Sequence, residues 1–173
     1  MSSSRVFLVG FMCSGKTTVG SLLAQRLRWR FRDTDEEVER REGMSIAELF
    51  QKKGERHFRL QERLVLAELL EEDRVVVSTG GGLGANLEAM ELMKAKGLVV
   101  WLRVGFETFL QRCGSDPSRP LLKRDERELR ELFEERAQVY RRAHLTLDSS
   151  LPADLLVEEF IVPKVLEDYN IKA

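Results

Sequence analysis

The chain has 173 residues, 43% of them hydrophobic and 33% charged, with a formal net charge of −1. That length suits one domain spanning residues 1–173, with a core large enough to need neither disulfides nor metal. The same figures exclude a disordered chain and a strongly basic nucleic-acid binder, and no apolar run nears the roughly 20 residues that cross a bilayer.

Val6-Phe7-Leu8-Val9 predicts a first strand, and Gly10-Phe11-Met12-Cys13-Ser14-Gly15-Lys16-Thr17-Thr18 follows it at once. The run fits G-x-x-x-x-G-K-[ST], a loop whose backbone N–H groups converge on phosphate. Its glycines let the backbone wrap closely around an anion. Lys16 supplies a cation for the outer phosphates, and Thr17 offers a hydroxyl to Mg²⁺. Behind the loop, Val19, Leu22, Leu23 and Leu27 recur at helical spacing, so a helix N-terminus faces the same anion. Cys13 and Cys113 lie far apart in sequence and one is in the loop, so no structural disulfide is expected and a reducing cytoplasm is the natural setting. His57 and His144 form no zinc spacing with them and read as surface or packing residues.

Trp29 to Arg32 predicts a second strand running into Asp33-Thr34-Asp35. Loops at the carboxyl ends of parallel strands form the ligand crevice, so both acids should lie beside the phosphate loop. If the chain stays extended they point to opposite sides and take different tasks. A plain acidic surface turn is the alternative, because Glu36 and Glu37 continue the run.

Ser45-Ile46-Ala47-Glu48 is a capping box opening a short helix that ends near Gly54. A longer helix, about 55–70, is expected to carry Leu60, Leu64 and Ala67 on one face. Arg59 lies in its first turns, where the helix dipole disfavours a cation, so it calls for a partner. Val75 to Ser78 is a third strand, closed by Thr79-Gly80-Gly81-Gly82, where backbone can approach a ligand closely. Asn86 caps a helix whose Leu87, Met90 and Met93 belong to the core and which Gly97 ends; Leu98 to Leu102 is a fourth strand.

The turn-rich stretch from Gly114 to Pro120 suits a lid closing over nucleotide, or else a plain surface connection. In the next helix Leu129, Leu132, Phe133, Arg136 and Tyr140 share one face, so Arg136 points inward and needs an anion. Leu145 to Leu147 is a fifth strand, and Pro152 introduces a last helix that Pro163 interrupts. Strand and helix alternation gives a doubly wound α/β fold on a parallel sheet.

Taken in order, Gly10 to Thr18, Asp33-Thr34-Asp35, Gly54-Glu55 with Phe58-Arg59, Gly80-Gly81-Gly82, Arg119-Pro120-Leu121-Leu122, and Arg136 with Tyr140 resemble the shikimate kinase family over nearly the whole chain. The resemblance implies γ-phosphoryl transfer from ATP, with Mg²⁺, to the 3-hydroxyl of shikimate, on the route to chorismate and aromatic amino acids. It implies a three-layer αβα P-loop kinase with sheet order 2-3-1-4-5, a helical substrate-binding region at about 34–62 and a lid at about 113–125. By the same likeness Asp35 would hold ring hydroxyls and act as base, while Asp33 would support Mg²⁺ through water alongside Thr17. Arg59 and Arg136 would clamp the substrate carboxylate, and Gly80, Gly81 and Gly82 would line the substrate, Gly81 through its N–H. Arg119 would close onto the phosphates held by Cys13, Ser14, Gly15, Lys16, Thr17 and Thr18, with Arg112 and Pro152 flanking adenine. A cytoplasmic monomer acting on a small molecule is expected, with neither nucleic acid nor membrane as partner. Cys13 departs from the family's loop, where Gly or Ala is common, and the loop's positive field would make its thiol acidic and oxidisable. A gluconate-type kinase of the same fold and a nucleotide-binding regulatory protein without transfer activity are the rival readings.

Overall fold

The computed structural model describes residues 4–113 and 125–170. The lid expected at about 113–125 and Arg119 within it therefore lie, except for the ends of that range, outside the described residues. A parallel five-stranded sheet runs in the order β2-β3-β1-β4-β5. Its strands are β1 (Arg5–Val9), β2 (Arg30–Asp33), β3 (Val75–Ser78), β4 (Leu98–Arg103) and β5 (Leu145–Asp148). The three inner strands are almost unbroken apolar runs, as strands covered on both faces must be. Alternation along them divides the core. Phe7, Val9, Val75, Val77, Val99 and Trp101 face one layer of helices, while Val6, Leu8, Val76, Leu98, Val100 and Leu102 face the other.

The second layer holds α1 (Lys16–Leu27) and the C-terminal helical stretch: α8 (Ala153–Leu155), a π-helical turn (Leu156–Ile161) and α9 (Val162–Asn170). Pro163 was expected to interrupt this helix, and it does not. It sits in the first turn of α9, directly behind the wide π turn, which takes up the missing N–H and the ring that would clash with an ordinary preceding turn. The first layer holds α2 (Thr34–Glu42), α3 (Ile46–Leu69), α4 (Gly81–Gly84), α5 (Leu87–Lys96), α6 (Phe106–Cys113) and α7 (Glu126–Tyr140).

Within α3 the backbone breaks at Gly54, with φ 85° and ψ 166°, so the two expected helices meet at a kink that favours glycine. Ser45 caps the first by accepting from the Glu48 N–H, and Asn86 caps α5 by accepting from the Ala89 N–H. The α3 face that Leu60, Leu64 and Ala67 share is exposed, and the core takes another stripe of the helix. Leu60 and Leu64 are 53% and 48% exposed, whereas Phe58, Glu62, Val65 and Leu69 are buried. Leu87 is exposed as well, while Met90 and Met93 are core.

The cysteine expectation is also overturned: Cys13 and Cys113 form a disulfide, with Cα atoms 6.1 Å apart and 100 residues between them in sequence. β1 and β4 are parallel neighbours, so the loop after one and the helix after the other emerge side by side at the same end of the sheet. Distance along the chain was no guide there, and two distant thiols no longer argue for a reducing compartment.

Candidate active site

Gly10 leaves β1 with φ 152°, and a Cβ there would stand 2.7 Å from the Leu102 carbonyl, so the loop's first position has room only for glycine. The loop then closes into α1, whose N-cap Gly15 adopts φ 89°. The Lys16 Nζ donates to the carbonyls of Gly10 (2.7 Å) and Phe11 (3.0 Å), which fixes the ammonium over the loop's mouth. Residues Met12 to Thr18 line a cavity of about 290 Å³ together with Asp33, Asp35, Ser78, Thr79, Gly80 and Gly81.

Asp33 and Asp35 are set apart by a helix start rather than by an extended strand. β2 ends at Asp33, whose Oδ1 caps α2 by accepting from the N–H groups of Asp35 (2.9 Å) and Glu36 (3.2 Å). Its second oxygen, Oδ2, accepts from the Thr17 hydroxyl at 3.5 Å. One hydroxyl and one carboxylate oxygen therefore face each other beside the phosphate loop. No cluster of three or more His, Cys, Asp or Glu side chains that could hold a metal occurs among the described residues. Two hard oxygen donors suit Mg²⁺, which keeps several waters and takes the rest of its shell from substrate phosphates.

Asp35, one residue into α2, lies where this cavity opens into a second. The neighbour, about 140 Å³, is lined by Met12, Asp35, Ile46, Phe50, Phe58, Arg59, Glu62, Gly80, Gly81, Gly82 and Arg136. Asp35, Met12, Gly80 and Gly81 belong to both. Burial, reinforced by the Asp33 charge, pushes the Asp35 carboxyl up to about 6 against the pull of Lys16.

The acceptor side is built by three elements. From α3, Arg59 reaches in, its Nη1 donating to Glu62 at 2.8 Å and its Nη2 to Glu55 at 3.3 Å. Arg136 comes from the buried face of α7, 8% exposed, with its guanidinium carbon 5.6 Å from the Phe11 ring centre. Between them passes the glycine turn, held by Gly80 N–H donating to the Thr34 hydroxyl (2.9 Å) and by the Tyr140 hydroxyl donating to the Gly81 carbonyl (2.6 Å). Each glycine faces a different functional group. A Cβ on Gly80 would stand 2.7 Å from Asp35 Oδ1, one on Gly81 2.9 Å from Arg136 Nη1, and one on Gly82 2.8 Å from Arg59 Cζ. The turn is bare because three side chains occupy the space beside it.

Inspection of the sequence missed Glu62. It is 1% exposed, and burial outweighs the attraction of Arg59 to raise its carboxyl to about 7. Its signal was present in the i, i+3 spacing from Arg59, a geometry that sets acid and guanidinium against each other on one helix face. Arg112 donates to the Cys13 carbonyl at 3.5 Å, while Pro152 is the N-cap of α8; neither lines the two cavities.

A phosphate loop after the first of five parallel strands, opening through one carboxylate into a hollow with two guanidiniums, defines an ATP-dependent kinase of the P-loop class. The family model for shikimate kinase matches residues 12–167. A shikimate kinase of Aquifex aeolicus is 50% identical over 158 residues, covering 91% of this chain and 94% of that one. The crystal structure of the enzyme from that organism superposes with a TM-score of 0.86 at 48% identity, over 98% of this chain and 99% of the other. A shikimate kinase from Acinetobacter baumannii, solved in complex with shikimate, gives a TM-score of 0.88 at 38% identity, over 96% and 95% of the two chains. The chain belongs to the shikimate kinase family.

Proposed function

We propose that this chain transfers the γ-phosphoryl group of ATP to the 3-hydroxyl of shikimate, giving shikimate 3-phosphate and ADP, with the acceptor seated in the hollow between α3, α4 and α7. The observation that carries this reading is the position of Asp35 in the walls of both cavities, between Lys16 on the phosphate side and Arg59 and Arg136 on the acid side. A planar guanidinium pairs with a carboxylate through two parallel hydrogen bonds, so Arg59 and Arg136 hold the substrate's acid group. Glu62 keeps Arg59 in place. Asp35 then meets the ring hydroxyl, orients its lone pair toward phosphorus and takes its proton, a task suited to a carboxyl raised toward neutrality.

Phosphoryl transfer has a loose, charge-dispersed transition state, so positive charge around the phosphoryl oxygens lowers the barrier. Lys16 supplies part of it, with the loop N–H groups of Cys13 to Thr18. Arg119, outside the described residues, is assigned the second cation on the strength of the family motif. Thr17 and Asp33 would hold Mg²⁺, which would supply further positive charge to offset that of the phosphates. Arg112 and Pro152 are assigned to the adenine side. The site as assigned calls on no residue of a second subunit, and the need for ATP supports a cytoplasmic setting.

Coupled measurement of ADP release with shikimate, with gluconate and without acceptor tests the assignment. Shikimate-dependent release is expected. Equal release with gluconate would favour a gluconate-type kinase, and nucleotide binding with no release under any condition would favour a regulatory protein.

A further inference from the structure

The bridge between Cys13 and Cys113 joins the phosphate loop to the end of α6, and nothing in phosphoryl transfer requires it. Cys13 lines the phosphate-side cavity and holds φ at 60°, a conformation uncommon for a residue with a Cβ. Cys113 is 3% exposed and packed into the core on the α6 side. The bridge coexists with an intact α1 and with the loop's glycine turns, so it is compatible with the cradle.

We propose that Cys13 and Cys113 form a thiol–disulfide modification site that sets nucleotide affinity, the bridged form holding ADP and ATP more tightly. The proposal rests on the phosphate loop being the nucleotide site. A loop that binds phosphate must fix its N–H groups in one arrangement, and the bridge fixes residue 13 before nucleotide arrives. Fixing one residue's backbone in advance corresponds to about tenfold in affinity. Linkage then runs backwards with the same factor: nucleotide must favour the bridge about tenfold, which for a two-electron couple lowers the midpoint potential by about 30 mV.

The chemistry balances with a small-molecule disulfide such as oxidised glutathione as oxidant. Cys13, half-buried beside Lys16, attacks one glutathione sulfur as the thiolate, breaks the S–S bond and releases one glutathione thiolate. The Cys113 thiolate then attacks the Cys13 sulfur of that mixed disulfide and releases the second. Two protein thiols are oxidised, one glutathione disulfide is reduced to two thiols, and the cysteine protons pass to the departing thiolates. A dithiol reverses the sequence.

The full chain, equilibrated in stepped glutathione buffers with and without saturating ADP and then alkylated, reports the midpoint by mass. Calorimetry with ADP reports affinity in the fully oxidised and fully reduced protein. Expected are about tenfold tighter ADP binding when bridged, a midpoint about 30 mV lower with ADP, and a Cys113→Ala variant that binds like reduced protein in either buffer. Two alkylatable thiols in every buffer, equal affinities in the two states, or weaker binding when bridged would each overturn the proposal. Shikimate-dependent ADP release that persists in those cases would leave the assigned function standing, whereas absence of ADP binding in both states would overturn the nucleotide site together with its redox coupling.

Discussion

Replacing Gly82 by alanine should uncouple substrate affinity from folding. The new methyl would lie 2.8 Å from the Arg59 Cζ and 2.9 Å from its Nη2, well inside contact distance. The atom nearest to the new methyl is Arg59 Nη1, so the guanidinium, as the mobile partner, must retreat by about an ångström, against the 2.8 Å bond that the same nitrogen makes to Glu62. Gly82 lies in α4 without a positive φ, and alanine favours a helix over glycine by about 1 kcal/mol, so the backbone gains roughly what the displaced side chain loses. The thermal midpoint should therefore stay close to native. The substrate carboxylate, however, loses its alignment with one of two guanidiniums. Breaking such a pair outright costs on the order of 2–5 kcal/mol. A displaced but nearby charge forfeits part of that, about 1.5–3 kcal/mol, or roughly 10- to 150-fold in KM for shikimate. Steady-state kinetics with each substrate varied in turn should show this rise with KM for ATP unchanged. Arg59→Ala and the double variant should give nearly the same KM, because both changes act on one contact. A shikimate KM within twofold of native, or an equal rise for ATP, would refute the steric reasoning.

Arg136→Ala should raise the shikimate KM tenfold or more, read from the same kinetics, since it removes the second guanidinium and leaves the substrate carboxylate half-matched. Lys16→Ala should lower kcat by about 10²–10³ through lost charge stabilisation in the transition state, and native turnover would remove Lys16 from the chemistry. Because Asp35 titrates near 6, kcat/KM should fall about tenfold per unit as pH drops below that value, the carboxylate being the active form. The effect on stability has the opposite sign. Asp35 and Glu62 bind protons more tightly folded than unfolded, so their contribution favours the fold below pH 4 and is lost as pH rises through about 6 and 7. Asp35→Asn should thus be inactive yet more stable at pH 8 by on the order of 1–2 kcal/mol in urea titration, a gain that should vanish by pH 4.

Much of this molecule is written in local pattern. The phosphate loop, the strands, the caps at Ser45 and Asn86, the break at Gly54 and the inward face of α7 carrying Arg136 all follow from short-range geometry and helical or strand periodicity. Neighbours within a few residues enforce those features, so the sequence alone reveals them. Which stripe of α3 faces the core was decided elsewhere. Leu60 and Leu64 looked the more apolar, yet the stripe of Phe58, Glu62, Val65 and Leu69 is the one buried, and Arg59, about one turn away on the same helix, compensates the acid in its midst. Likewise the meeting of Cys13 with Cys113 depends on which strands lie side by side. Periodicity names a helix, but only the surface it packs against selects the buried face, and only strand order makes neighbours of residues a hundred positions apart.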